Sequence, residues 1–163
     1  MAMTRAAARA AVAAWFAPPN VLGLNRVYPS FPKLIPTNIY FSGTVPGTRS
    51  GAIGIVHIVN KHEVRHAMGG AHSGVKRVDY EVELQILMLS SRKVAELATD
   101  DLDAVVDAVE TRLRADRTLG SPNVWQAGEK QVDVDYIEPR LTEQWIENWC
   151  AVRFDLTQWL MNT

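Results

Sequence analysis

Apolar and polar side chains alternate over residues 75–89. Val78, Tyr80, Val82, Leu84, Ile86 and Met88 interleave with Asp79, Glu81, Glu83 and Gln85. Successive side chains of a strand point to opposite faces, so a period of two predicts a long strand with one buried face. Residues 52–66 open on a β-branched run and read as a second strand. The small-residue segment AMGGAHSG between them makes 52–89 a long β-hairpin.

A period near 3.6 appears twice. In the first helix Thr4 is the expected N-cap, with Val12, Trp15 and Phe16 on the packing side, and Pro18 and Pro19 stop it. In the second, Thr99 is the expected N-cap and Asp100, Asp101 and Asp103 occupy the first turn. Leu102, Val105, Val106, Val109 and Leu113 form the stripe, and Gly120 with Pro122 closes the helix. Prolines at 18, 19, 29, 32 and 36 mark residues 18–37 as an irregular arm, closed to helix and to central strand. A short strand is expected over 38–42, a turn over 43–51, a strand around Val132, Val134 and Tyr136, and a last long strand over 146–159. The order predicts an α+β fold in one domain spanning 1–163. Its sheet is mostly antiparallel, with an N-terminal and a central helix packed on it.

The 163 residues have a soluble globular composition, 47% hydrophobic and 21% charged. Lys+Arg total 17 against 18 Asp+Glu, so bulk charge offers no attraction to nucleic acid. The lone Cys150 excludes an internal disulfide and a Cys-rich zinc module, and reads as a small core residue. No apolar run is long enough for a membrane span. Arg5 and Arg9 in an Ala-rich stretch loosely echo a signal peptide. The stretch lacks a strong Leu/Val/Phe core, and an ordinary helix of an intracellularly assembled protein is expected.

All four histidines, His57, His62, His66 and His72, fall within sixteen residues, and HEVRHAMGGAH over 62–72 completes the pattern H-E-x-x-H-x-x-G-x-x-H. In a small metzincin-like zinc metalloprotease, two histidines on one helical face and a third beyond a glycine hold the metal, and the glutamate activates a water. That chemistry needs a helix, whereas the strand formers before the motif and the glycine pair within it predict a hairpin tip with solvated histidines. Asp133 and Asp135 read as a solvated strand face, and no nucleophile with an evident partner or phosphate-binding loop is present.

The order helix, Gly-tipped hairpin, Asp- and Arg-rich helix, two closing strands resembles the tail terminator proteins of long-tailed, siphovirus-like bacteriophages. The local text is similar too: Arg65-His66-Ala67-Met68-Gly69-Gly70, then Gly74-Val75-Lys76-Arg77 leading into Asp79-Tyr80-Glu81-Val82, and Thr118-Leu119-Gly120 after the second helix. The resemblance covers roughly residues 3–160. It implies a structural virion protein with no catalysis and no cofactor. Six copies would form a ring on the head-proximal end of the tail tube, stop tube growth and face the head-completion proteins. Another ring-forming tail tube or completion subunit is the neighbouring alternative. On this reading Lys61, Arg65, His66, Lys76 and Arg77 are the assembly-interface candidates, meeting protein partners while genomic DNA passes without specific binding.

Overall fold

The computed structural model describes residues 4–41, 50–65, 74–92, 94–121 and 125–162. In chain order the elements are α1 (Arg5–Phe16), β1 (Leu24–Tyr28), α2 (Thr37–Tyr40), β2 (Ser50–Arg65), β3 (Gly74–Ser90), α3 (Ala95–Ala115), β4 (Gln126–Leu141) and β5 (Ile146–Asn162). The strands form one sheet in the order β1-β2-β3-β5-β4. The fold is α+β and the sheet is mixed: β1 runs parallel to β2, and the other three pairings are antiparallel.

The alternation of β3 explains the sheet's two faces. Val78, Tyr80, Val82, Leu84, Ile86 and Met88 are buried on one of them. Cys150, Val152, Phe154 and Leu156 of β5 share that face. Both long helices supply the rest of the core. From α1 come Ala8, Val12 and Phe16; from α3 come Leu102, Val105, Val106, Val109 and Leu113. Phe16 meets Phe154 edge-on at 6.1 Å, and Trp125 meets Tyr80 likewise at 6.3 Å. The Arg112 guanidinium lies 3.6 Å from the Trp15 ring centroid and ties α3 to α1.

The hairpin forms with limbs close to the expected ones. Residues 50–56 of β2 are buried, whereas His57–Arg65 are exposed or half-buried. The distal part of β2 is therefore open to solvent, while β3 beside it stays buried on its inner face at Val78 and Tyr80. The glycine-rich tip with His66 and His72, most of the turn expected over 43–51, and Pro122 lie outside the described residues.

Four expectations are corrected. The proline-rich arm contains β1, because Pro19 and Pro29 bracket its five residues without interrupting them, and the strand sits at a sheet edge. The strand expected over 38–42 is instead a single helical turn, Thr37–Tyr40; β1 already occupies the edge of β2 that such a strand would need. The central helix starts at Ala95, and Thr99 lies inside it, its hydroxyl donating to the Ala95 carbonyl at 3.1 Å. The same helix ends at Ala115. Asp116 then accepts from the Thr118 and Gly120 backbone N–H groups at 2.8 and 3.2 Å, so a carboxylate-capped turn precedes Gly120. Thr4 does cap α1, its hydroxyl oxygen accepting from the Ala7 N–H at 3.2 Å.

Candidate functional site

The register of β2 and β3 places the candidate cations. A bulge between Ile58 and Asn60 changes which β2 side chains share a face. Beyond it Lys61 lies opposite Tyr80, Glu63 opposite Val78 and Arg65 opposite Lys76, all on the helix-bearing side. His62 opposite Asp79 and Val64 opposite Arg77 lie on the other side. The five candidates therefore do not form one patch. Glu63 holds Lys76 at 2.9 Å and Lys61 at 3.9 Å. The Lys76 hydrogen bond and charge hold the Glu63 carboxyl below its ordinary pKa. Arg65 and Lys76 stand directly across the ladder, a like-charge pair that Glu63 partly offsets. Arg77 bonds Asp79 at 2.8 Å and lies 5.9 Å from the Trp159 ring centroid. Arg65 has no ion-pair partner among the described residues. His66 lies outside them.

The segment His62–Arg65 is β-strand. The helical i, i+4 face on which a zincin mounts its first two ligands is thus not formed from His62 onward.

The face opposite the helices carries an ion network that alternation alone made look solvated. Asp79 is only 12% exposed at its side chain and receives Arg77, Lys130 at 3.1 Å and the Thr157 hydroxyl at 2.8 Å. Burial pushes its pKa up, but the hydrogen bonds from Thr157, Lys130 and Arg77 outweigh this and leave it lowered. Glu83 behaves alike: burial opposes ionisation, and Gln85 at 2.6 Å and Arg153 at 2.8 Å overcome it. Arg153 also reaches Asp135 at 2.7 Å, so Asp135 is paired across the ladder. Lys130 reaches Asp79 because β4 leaves register with β5 between Ala127 and Val132, where Gly128 has φ +62°. A groove of about 320 Å³ results, lined by His62, Asp79, Lys130, Asp133, Arg153 and Asp155.

Two further features went unread in the sequence. At the base of the same face a second groove of about 270 Å³ lies among Tyr40, Leu87, Leu89 and Trp149, with Glu138, Arg140 and Glu147 beside it. The signal was present: the outer-face positions of β3 change from Asp79, Glu81, Glu83 and Gln85 to Leu87 and Leu89. The other feature is a pair of open sheet edges. Among the described residues β1 covers β2 only over Ala52–Ile55, leaving the edge His57–Arg65 unpaired, and β4 pairs with β5 alone.

These edges differ in charge. The β2 stretch carries Lys61 and Arg65 against Glu63. The β4 strand carries Glu129, Asp133, Asp135 and Glu138 against Lys130 and Arg140. An edge with unpaired N–H and C=O groups is a template for another strand, and opposite charge selects which. No known family model matches the chain, and no curated protein matches it in sequence.

Proposed function

We propose that the protein is a structural subunit of the tail terminator type. It closes into a ring by head-to-tail contact, caps the head-proximal end of a phage tail tube and forms part of the head–tail interface. The observation that carries this reading is the pair of open, oppositely charged sheet edges on one elongated sheet. The β4 edge is antiparallel to the distal β2 edge, following the chain of pairings across the sheet. A rotation that sets one beside the other continues the sheet into the next copy and closes on itself. Support also comes from the element order and from Arg65, Lys76 and Arg77 standing at the distal ends of the hairpin limbs. The copy number of six comes from the resemblance.

The remaining partners follow from this role. A tail tube protein meets one surface of the ring and a head-completion or connector protein the other, while DNA transits without specific binding. The protein would reside in the host cytoplasm during assembly and then in the virion. Among the described residues no helix is long and apolar enough to cross a membrane.

A nonsense allele in the parent phage should give tails longer than normal that do not join filled heads. Supplying the protein in trans should restore length. Normal-length tails on infectious particles would overturn the proposal, and a tail that lacks its tube altogether would assign the chain to the tube instead. One tightly held zinc per chain, lost together with peptide cleavage in His66→Ala, would establish the protease alternative.

A further inference from the structure

We propose that the helix-bearing side of the sheet, at the distal end of the hairpin, grips the phosphate backbone of duplex DNA without reading its sequence. Arg5 and Arg9 of α1 build the surface together with Lys61, Arg65 and Lys76 of the hairpin limbs. The proposal goes beyond the ring and does not depend on it.

Two elements bring these side chains to one side. Register puts Lys61, Arg65 and Lys76 on the helix-bearing face. On that face α1 packs over β2 and β1. Its N-terminal end is the one near the distal limbs. The Arg5 charge acts on the hydroxyl of buried Tyr80, as the Glu63 charge does, and Tyr80 lies opposite Lys61. Arg9 follows Arg5 by one helical turn, about 6 Å along the axis, on the same side of α1. Lys61 and Arg65 are about 13 Å apart along their strand.

These cations are poorly compensated. Glu63 serves Lys61 and Lys76. The α1 helix, RAAARAAVAAWF, has no acidic residue. Arg5, Arg9 and Arg65 have no ion-pair partner among the described residues. Two like-charge pairs result, Arg5 with Arg9 at i, i+4 and Arg65 with Lys76 across the ladder. Each is unfavourable in the isolated protein. A phosphate between the members of either pair replaces repulsion with charge-assisted hydrogen bonds, and a guanidinium matches phosphate geometry.

The apolar side chains decide between nucleic acid and protein. A protein interface is built around an apolar centre. Besides Arg5, the exposed positions of α1 are Ala6, Ala10 and Ala14. Val64, the exposed apolar residue of β2 beyond its bulge, lies on the other side of the sheet. Small side chains among cations let a phosphate backbone approach closely. Such contacts carry no sequence information and permit sliding, which suits DNA in transit. Strand addition along the β2 edge uses backbone groups and leaves this face open.

The test is fluorescence anisotropy of two dye-labelled DNA duplexes of unrelated sequence, each about 20 base pairs, with the purified full chain at about 50 to 200 mM salt. Both duplexes should bind alike. Neutralising about four phosphates gives a slope of log affinity on log salt of about −3.6, a loss of about a hundredfold over that range. Arg5→Gln with Arg9→Gln, and Arg65→Gln with Lys76→Gln, should each make the slope shallower by about 2. Both variants should keep the circular dichroism of the parent, since each relieves a like-charge pair. Arg26→Gln with Lys33→Gln removes the same charge at exposed positions on the β1 side and should leave the slope unchanged. Absence of binding at the lowest salt, or a slope that this control changes as much as the two variants do, overturns the surface. Equally tight binding of polyglutamate would assign it to an acidic protein and overturn it as well. The two proposals fail separately. Overlong mutant tails without duplex binding would remove only this surface, and duplex binding in a protein whose loss leaves tails normal would remove only the tail-terminator role.

Discussion

Asn148 is 3% exposed, and neither its amide nitrogen nor its amide oxygen has a hydrogen-bond partner. Register places it opposite Met88 on the helix-bearing face. A buried amide without partners carries its full desolvation cost, and an apolar side chain of similar size removes that cost. Asn148→Leu should therefore stabilise the protein by about 1–2 kcal/mol, read as a rise of a few degrees in melting temperature. A lower melting temperature would show that the amide is used. Asp79 and Glu83 present the opposite case, buried carboxylates with more partners than they need. Their folded pKa values lie below the ordinary 3.8 and 4.5. The stability they contribute is present above those ordinary values and is lost as pH falls through the depressed folded ones. Unfolding free energy should fall steadily below about pH 4.5, and the double variant Asp79→Asn with Glu83→Gln should flatten that decline. A slope unchanged in the double variant would place the acid sensitivity elsewhere. Neither role was legible in the sequence. Alternation gave both carboxylates to the outer face correctly, but could not show that Lys130 and Arg153 fold over them.

At the scale of elements, the strand and helix periods were legible wherever a segment buries one face along its whole length. The limbs of the hairpin are the best case, β3 departing from its expected range by one residue at each end. Boundaries decided by tertiary contacts were not legible. Thr99 had the chemistry of an N-cap, yet α3 begins one turn earlier, and Asp101 is spent on Arg92 at 2.6 Å and on Ser50 at 2.5 Å. β1 hid inside the proline-rich arm because its five residues are too few for periodicity to register. Two outcomes belong to this scale. Gly128 adopts φ +62° at the β4 irregularity, and a Cβ there would sit 3.1 Å from Leu113 Cδ2. Gly128→Ala should cost about 1–3 kcal/mol by urea denaturation. It should also flatten the acid sensitivity, because shifting Lys130 away from Asp79 removes part of what holds that carboxyl below its ordinary pKa. On the hairpin limb Lys76→Glu with Arg77→Glu should leave the protein folded and soluble, since both side chains are half-exposed. Most of the lost stability should come from Arg77, whose replacement sets a like charge beside Asp79. Under the proposed tail-terminator role, the double reversal in a parent phage should produce tails that fail to join heads or that overgrow, and normal infectious particles would leave these residues no assembly role.

For the whole molecule, the long sheet with helices on one face was legible, and the parallel edge strand was not. A parallel neighbour needs a crossover, and its described part, 29–41, holds only the single helical turn Thr37–Tyr40 rather than a helix with a readable period. The order β1-β2-β3-β5-β4 has a kinetic consequence. The strand at the centre of the β3-β5-β4 half is the last one along the chain, and β3 pairs with it over its full length, Gly74 with Asn162 through Ser90 with Ile146. While β5 is still being synthesised, β3 has one edge unpaired and β4 has no strand to hold it. Sheets that depend on such distant pairings fold in about milliseconds to seconds, far slower than local hairpins. A ribosome-bound nascent chain therefore presents a long strand with a free edge until β5 emerges. In a cell making many copies at once, that interval is the one in which chaperones govern yield.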